Sequence, residues 1–202
     1  MKKINFFKAG IVIFGIILVF SIITYAKNTQ KNIADSVLRL HVIANSNSKD
    51  DQELKLKVRD RLLSEGMNFF NKNMSLEDTK KYIIENNDEI RKIAEDEIRR
   101  NGYDYKVEIM VGEFAFPAKY YESIMLPSGK YDAVRVIIGE GKGENWWCVM
   151  YPPMCALDGI TVKNGKNQLK KSLSGEEYRL ISKKNPPTEI RFKIVDFINS
   201  VF

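Results

Sequence analysis

Histidine and cysteine are nearly absent, with one His and two Cys among 202 residues. A structural zinc site usually takes four Cys or His ligands. Three such side chains do not suffice without a carboxylate, so neither a metal nor another cofactor is expected. No Gly-x-Ser-x-Gly elbow surrounds a serine, which leaves His41 without the nucleophile a hydrolase needs. Disorder is excluded by the opposite count. At 44% hydrophobic, 11% aromatic and 29% charged residues, the chain has the apolar material for one globular domain plus an appendage.

That appendage is the amino terminus. Lys2, Lys3 and Lys8 precede a charge-free run from Ala9 to Ala26 rich in Ile, Val, Leu and Phe. A basic head on an apolar run keeps its cations on the cytoplasmic side and sends the rest of the chain across the membrane. Residues 1–26 are therefore expected to be a signal peptide or a membrane anchor, and Thr24-Tyr25-Ala26 leaves cleavage before Lys27 open beside retention. Residues 27–202 form the single exported domain. Without the three leading lysines, 29 basic residues face 26 acidic ones, a net of +3. The whole-chain pI of 9.1 thus overstates the basicity of the exported part, and no nucleic-acid partner is expected.

Val37 to Ala44 alternates as a strand, with Leu38, Leu40 and Val42 on one face and Arg39, His41 and Ile43 on the other. Ser48 with Asp51 three residues later starts a helix to about Phe70, apolar on two sides. Ser75 with Asp78 starts a second helix running to Asn101-Gly102. Period two then takes over from Tyr103 to Val111. Further strands are expected at Tyr131 to Ile138 and Trp146 to Tyr151, read as a hairpin joined across the loop 139–145. Gly139, Gly141 and Gly143 in that loop lack the spacing of a phosphate-binding loop and lead into a strand, not a helix. Gly159 to Pro187 turns polar and lysine-rich and reads as a mobile excursion, with a short helix from Ser174 conceivable. Thr188 to Phe202 reads as a closing helix. The fold class is α+β, an antiparallel sheet packed by helices and preceded by the amino-terminal signal or anchor helix.

Cys148 and Cys155, with six residues between them that include a Pro-Pro pair, can form a short-loop disulfide. In an oxidising exterior such an eight-residue ring stabilises by about 2 to 3 kcal/mol, the alternative being two buried thiols. Asp50-Asp51 and Glu176-Glu177 sit at helix starts, where acidic groups suit the helix dipole. No catalytic set emerges, no small-molecule substrate is implied, and binding is the natural inference.

Several segments carry a resemblance. Arg39-Leu40-His41-Val42-Ile43-Ala44-Asn45-Ser46-Asn47-Ser48 with Asp51-Gln52-Glu53-Leu54-Lys55-Leu56-Lys57-Val58-Arg59-Asp60 closely resembles the opening motif of the stage II sporulation protein R family. Tyr131 to Val136, Gly141 to Gly143 with Asn145 to Cys155, and Glu189 to Val195 look like its other segments. The resemblance implies a non-enzymatic signalling protein made in the forespore and exported into the space between the two sporulating compartments. Its implied partner is the membrane-embedded aspartic protease that processes the precursor of sigma-E, and its implied membrane contact is through the amino-terminal segment alone. Candidate partner-binding residues are Arg39, His41, Asn45, Ser46 and Asp51, and Asn145, Trp146, Trp147, Tyr151, Pro152 and Pro153, all equally readable as fold determinants. The competing functions are a membrane-anchored envelope structural protein and an exported cell-wall hydrolase.

Overall fold

A computed structural model describes residues 6–69, 74–121, 123–154 and 159–182. In chain order these give α1 (Phe6–Ala34), β1 (Leu38–Ile43), α2 (Lys49–Phe69), α3 (Leu76–Glu85), α4 (Asn87–Arg100), β2 (Val107–Phe116), β3 (Lys119–Tyr121), β4 (Ile124–Leu126), β5 (Gly129–Ile138), β6 (Asn145–Tyr151), α5 (Gly159–Ser172) and α6 (Gly175–Ile181). The closing helix expected over Thr188 to Phe202 lies outside the described residues.

A four-stranded sheet in the order β2-β5-β1-β6 divides the domain. β1 is parallel to β5 and antiparallel to β6, and β2 is antiparallel to β5. On one face Leu38, Leu40 and Val42 join Val134, Val136 and Cys148 against Leu54, Val58, Ile83, Ala94 and Ile98 of α2, α3 and α4. On the other, Tyr131, Ala133 and Val149 meet Ile33 and Ala34 of α1, the β3–β4 hairpin, and Leu169, Leu173 and Ile181 on and beside α5 and α6. The α+β class is as expected, with one parallel pair in a mostly antiparallel sheet.

The expected hairpin of β5 with β6 is not there, because β1 lies between them. β1 is buried on both faces, so its backbone groups need ladder partners on both edges. The glycine loop spans the gap by wrapping the end of β1: Gly143 N–H donates to the Ala44 carbonyl at 2.9 Å and Lys142 N–H to that of Asn45 at 3.1 Å. A Cβ on Gly143 would stand 2.3 Å from the Ser46 carbonyl oxygen, a backbone atom with no slack to give.

Three other expectations are corrected. The helix from Ser75 keeps its capping box but breaks at Asn86, which ends α3 and starts α4. The strand expected from Tyr103 starts at Val107 and continues through Phe116. The polar stretch 159–187 is helical where described, and Ser174 with Glu177 forms a full capping box on α6. Lys163, Lys170 and Lys171 are exposed, while Leu169 and Leu173, one turn apart, lie in the core.

α1 extends eight residues past the apolar run. Ala9 to Ala34 is long and apolar enough to cross a membrane, yet its last turns place Thr29, Ile33 and Ala34 inside the domain. The Asn32 side-chain amide donates to Glu177 at 2.7 Å, and Gln30 packs against Gly129 at the start of β5.

The placement of α5 is directly testable. Leu169→Ala should cost about 2 to 4 kcal/mol in urea unfolding, as for a buried leucine in a packed core, whereas Lys163→Ala should change stability by less than about 0.5 kcal/mol; equal effects at both positions would restore the loop.

Candidate functional site

The candidate residues separate into three places. Asn45, Ser46 and Asp51 close on one another at the end of β1. The Asp51 carboxylate accepts from Asn45 Nδ2 at 2.9 Å and Ser46 Oγ at 2.6 Å, while Asp51 N–H donates to Ser48 Oγ at 3.1 Å, capping α2. Asn45 Oδ1 in turn accepts from the N–H of Glu140 in the glycine loop. Burial opposes the charge on Asp51, but hydrogen bonds from Ser46, Asn45, Tyr105 and Ser48 outweigh it and hold the carboxyl below its ordinary range. Lys55, almost wholly buried, ties α2 to the same loop through the Glu144 carbonyl at 3.0 Å. This knot joins strand, helix and loop, with Asp51 itself in the interior.

Trp146 and Tyr151 pack on the helical face of the sheet. Arg59 of α2 lies 4.2 Å over the Trp146 ring, and the buried indole N–H has no acceptor among the described residues. A bulge at Leu38/Arg39 lets Met150 and Tyr151 both reach that face. Pro152 follows Tyr151 through a cis peptide and is buried. Pro153 meets Gly165 of α5, where a Cβ would come within 2.2 Å of the Pro153 carbonyl oxygen. Cys148 is buried and disulfide-bonded; Cys155 lies outside the described residues.

Arg39, His41, Asn145 and Trp147 share the opposite face, and the structure adds a residue that the sequence did not single out, Arg135. It is paired with His41 across the β1–β5 ladder. Arg135 Nε–H donates to His41 Nδ1 at 3.2 Å, so Nδ1 is the unprotonated nitrogen, and His41 Nε2–H donates to Asn145 Oδ1 at 2.6 Å. Trp147 stacks on the imidazole at 3.8 Å. Arg39 is fully buried, its guanidinium 4.1 Å over Phe116 and 4.7 Å over Tyr131, with one hydrogen bond to the Tyr121 hydroxyl at 2.6 Å. Its Nε and Nη1 have no partner among the described residues. Neither arginine forms an ion pair with a carboxylate of the described residues.

α1, the hairpin and α5 and α6 cover the half of this face that starts at Gly129. The other half, where Met110, Arg135, His41 and Trp147 stand in one register row and Glu108, Ile137, Ile43 and Asn145 in the next, is partly open. Met110 is 38% exposed, and Arg135, Ile137, Ile43 and Trp147 are half-buried. Arg135 was missed because it lies on a strand read for its apolar period. Its signal in the sequence was a cation at a position of β5 that shares a face with Tyr131 and Ala133. Among the described residues no group of three or more His, Cys, Asp and Glu side chains could hold a metal ion.

Burial lowers the His41 pKa to about 4, the Asn145 hydrogen bond opposing and the Arg135 and Arg39 charges reinforcing the shift. Above pH 6.5 both folded and unfolded chains hold a neutral ring. As pH falls the unfolded chain takes up its proton first, so stability drops between about pH 6.5 and 4, by about 3 kcal/mol in all. The chain has one histidine, which makes the check direct: its NMR titration should have a midpoint near pH 4, and a midpoint above 6 would contradict the buried neutral ring.

Residues 34–161 match the sequence model of the family described as Stage II sporulation protein R (spore_II_R). Over 193 residues the chain is 29% identical to Stage II sporulation protein R of Bacillus subtilis (strain 168), covering 88% of this chain and 86% of the relative. No solved structure matches the chain.

Proposed function

The chain belongs to the stage II sporulation protein R family, and on that premise we propose that it is an exported signal which activates the membrane-embedded aspartic protease processing the precursor of sigma-E. The observation that carries the proposal is the joining of the family's folded segment, from residue 34, to an apolar helix long enough to enter a membrane. Lys2, Lys3 and Lys8 orient that helix with its amino terminus in the forespore cytoplasm and deliver the domain to the space between the compartments.

A ligand role, rather than catalysis, suits the side chains. The single imidazole has both nitrogens engaged, one accepting from Arg135 and one donating to Asn145, which leaves no nitrogen for proton transfer. The Asp51 carboxylate is occupied by capping and loop contacts. An activating ligand acts by binding the active form of the protease better than the inactive one, since equal affinity shifts nothing.

The second reading is a membrane-anchored structural protein of the envelope. It is favoured by the unbroken passage of α1 into the core at Thr29, Ile33 and Ala34, which places the domain against the membrane wherever the apolar run is retained.

Co-expression of the full chain with the protease and the sigma-E precursor in a non-sporulating host decides between them. Shortening of the precursor only when this chain is present and exported is the expected outcome. No shortening, with both proteins folded and exported, would favour the structural reading.

A further inference from the structure

The half of the second sheet face that the described residues leave open combines apolar surface with a positive charge that no carboxylate among them pairs with. We infer that Arg135, set among Met110, Phe114, Ile137 and Trp147, is the docking point for a carboxylate side chain carried on an apolar stretch of a partner protein. The inference rests on the reading of this chain as a ligand for another protein and adds the face and the chemistry.

Charge comes first. Arg39 and Arg135 sit on the same face two register rows of side chains deep in the sheet, β1 Arg39 diagonal to β5 Arg135. No carboxylate of the described residues pairs with either; Glu108, one row away, is exposed and unpaired to them. A buried guanidinium without an anion carries a large desolvation cost. Three aromatic rings and the Tyr121 hydroxyl offset part of it for Arg39. An arriving anion would compensate the remaining positive potential of both groups.

Geometry comes second. Arg135 is held before any partner arrives, its Nε engaged by His41 and its guanidinium carbon 4.0 Å over Phe114. The two Nη groups make no hydrogen bond to described residues and form the fork that a carboxylate accepts from in bidentate fashion. Asn145 fixes His41, which fixes Arg135, so Asn145 and His41 are positioning residues. A pre-ordered side chain loses little entropy on binding. The apolar rim, with Met110 and Trp147 most prominent, excludes water from the pair and supplies the aromatic and arginine contacts that dominate protein interfaces.

The location favours a protein over a lipid headgroup. α1 leaves the domain past Gly129, which Gln30 touches, whereas Arg135 stands six residues farther along β5, about 20 Å away. The membrane that holds α1 is thus at the other end of the sheet.

Two measurements test this, the first of them separately from the function itself. The first melts the full chain in detergent micelles with N-acetylglutamate amide at about 0.1 M, at constant ionic strength, with inorganic phosphate as the comparison. The carboxylate should raise Tm by about 2 °C, an effect lost in Arg135→Gln and reduced in Arg135→Lys. No shift, or a shift with phosphate alone, overturns the assignment. The second repeats the co-expression with Arg135→Glu and with Met110→Glu, each shown to be exported in normal amount and to melt as the parent does. Precursor cleavage should fall at least about tenfold. Wild-type cleavage by both variants overturns the docking face, whereas failure of the parent chain itself to trigger cleavage sinks the activating function and leaves the carboxylate site to the melting result.

Discussion

β1 must be covered on both faces and both edges, and most of the domain is arranged to do so. Six residues carry Leu38, Leu40 and Val42 to one side and Arg39 and His41 to the other, all buried. A strand so placed cannot be an edge, since its unpaired amides would be desolvated without partners. β5 and β6 therefore flank it, and the loop between them passes over its end on glycines. The helices α2 to α4 close one face, and α1, the β3–β4 hairpin, α5 and α6 close half of the other.

Local structure was legible in the sequence, and the reason is that it is encoded locally. Ser75 with Asp78 and Ser174 with Glu177 form capping boxes where their spacing places them, and Val107, Ile109 and Val111 share the helical face as period two requires. Strand order was not legible, because β1 entering between two strands about a hundred residues downstream leaves no trace in either one's pattern. The polar stretch failed for a different reason. Counting lysines hides a stripe of two leucines one turn apart, and burial is decided by the stripe and not by the average.

The candidate site was legible in part. Arg39, His41, Asn145 and Trp147 do come together, although three register rows and two chain directions separate their partners. Asn45, Ser46 and Asp51 adjoin them in sequence yet serve a knot that fixes the end of β1, so one unbroken motif holds two physical tasks. Arg135 escaped notice since only the fold places it beside His41. A cation amid Val134, Val136 and Ile137 looks like a solvent-facing position until β1 is laid alongside.

The two halves of the second face have opposite fates, and the chain direction explains why. α1 returns to the domain where β1 and β5 begin, so helices and hairpin accumulate at that end and bury Tyr131, Ala133 and Arg39. Nothing in the described residues returns over the far rows, where the last turn of the sheet is made by the glycine loop. A domain joined to an apolar helix at one end of its sheet, and left open by the described residues at the other, is suited to presenting the far end away from that helix. On the proposed signalling role, that polarity would put Arg135, which no carboxylate of the described residues pairs with, on the side away from α1. If the proposed carboxylate docks there, the same charge becomes a source of specificity: a partner surface that covers Arg135 without a matching carboxylate would desolvate the guanidinium and leave it without an anion.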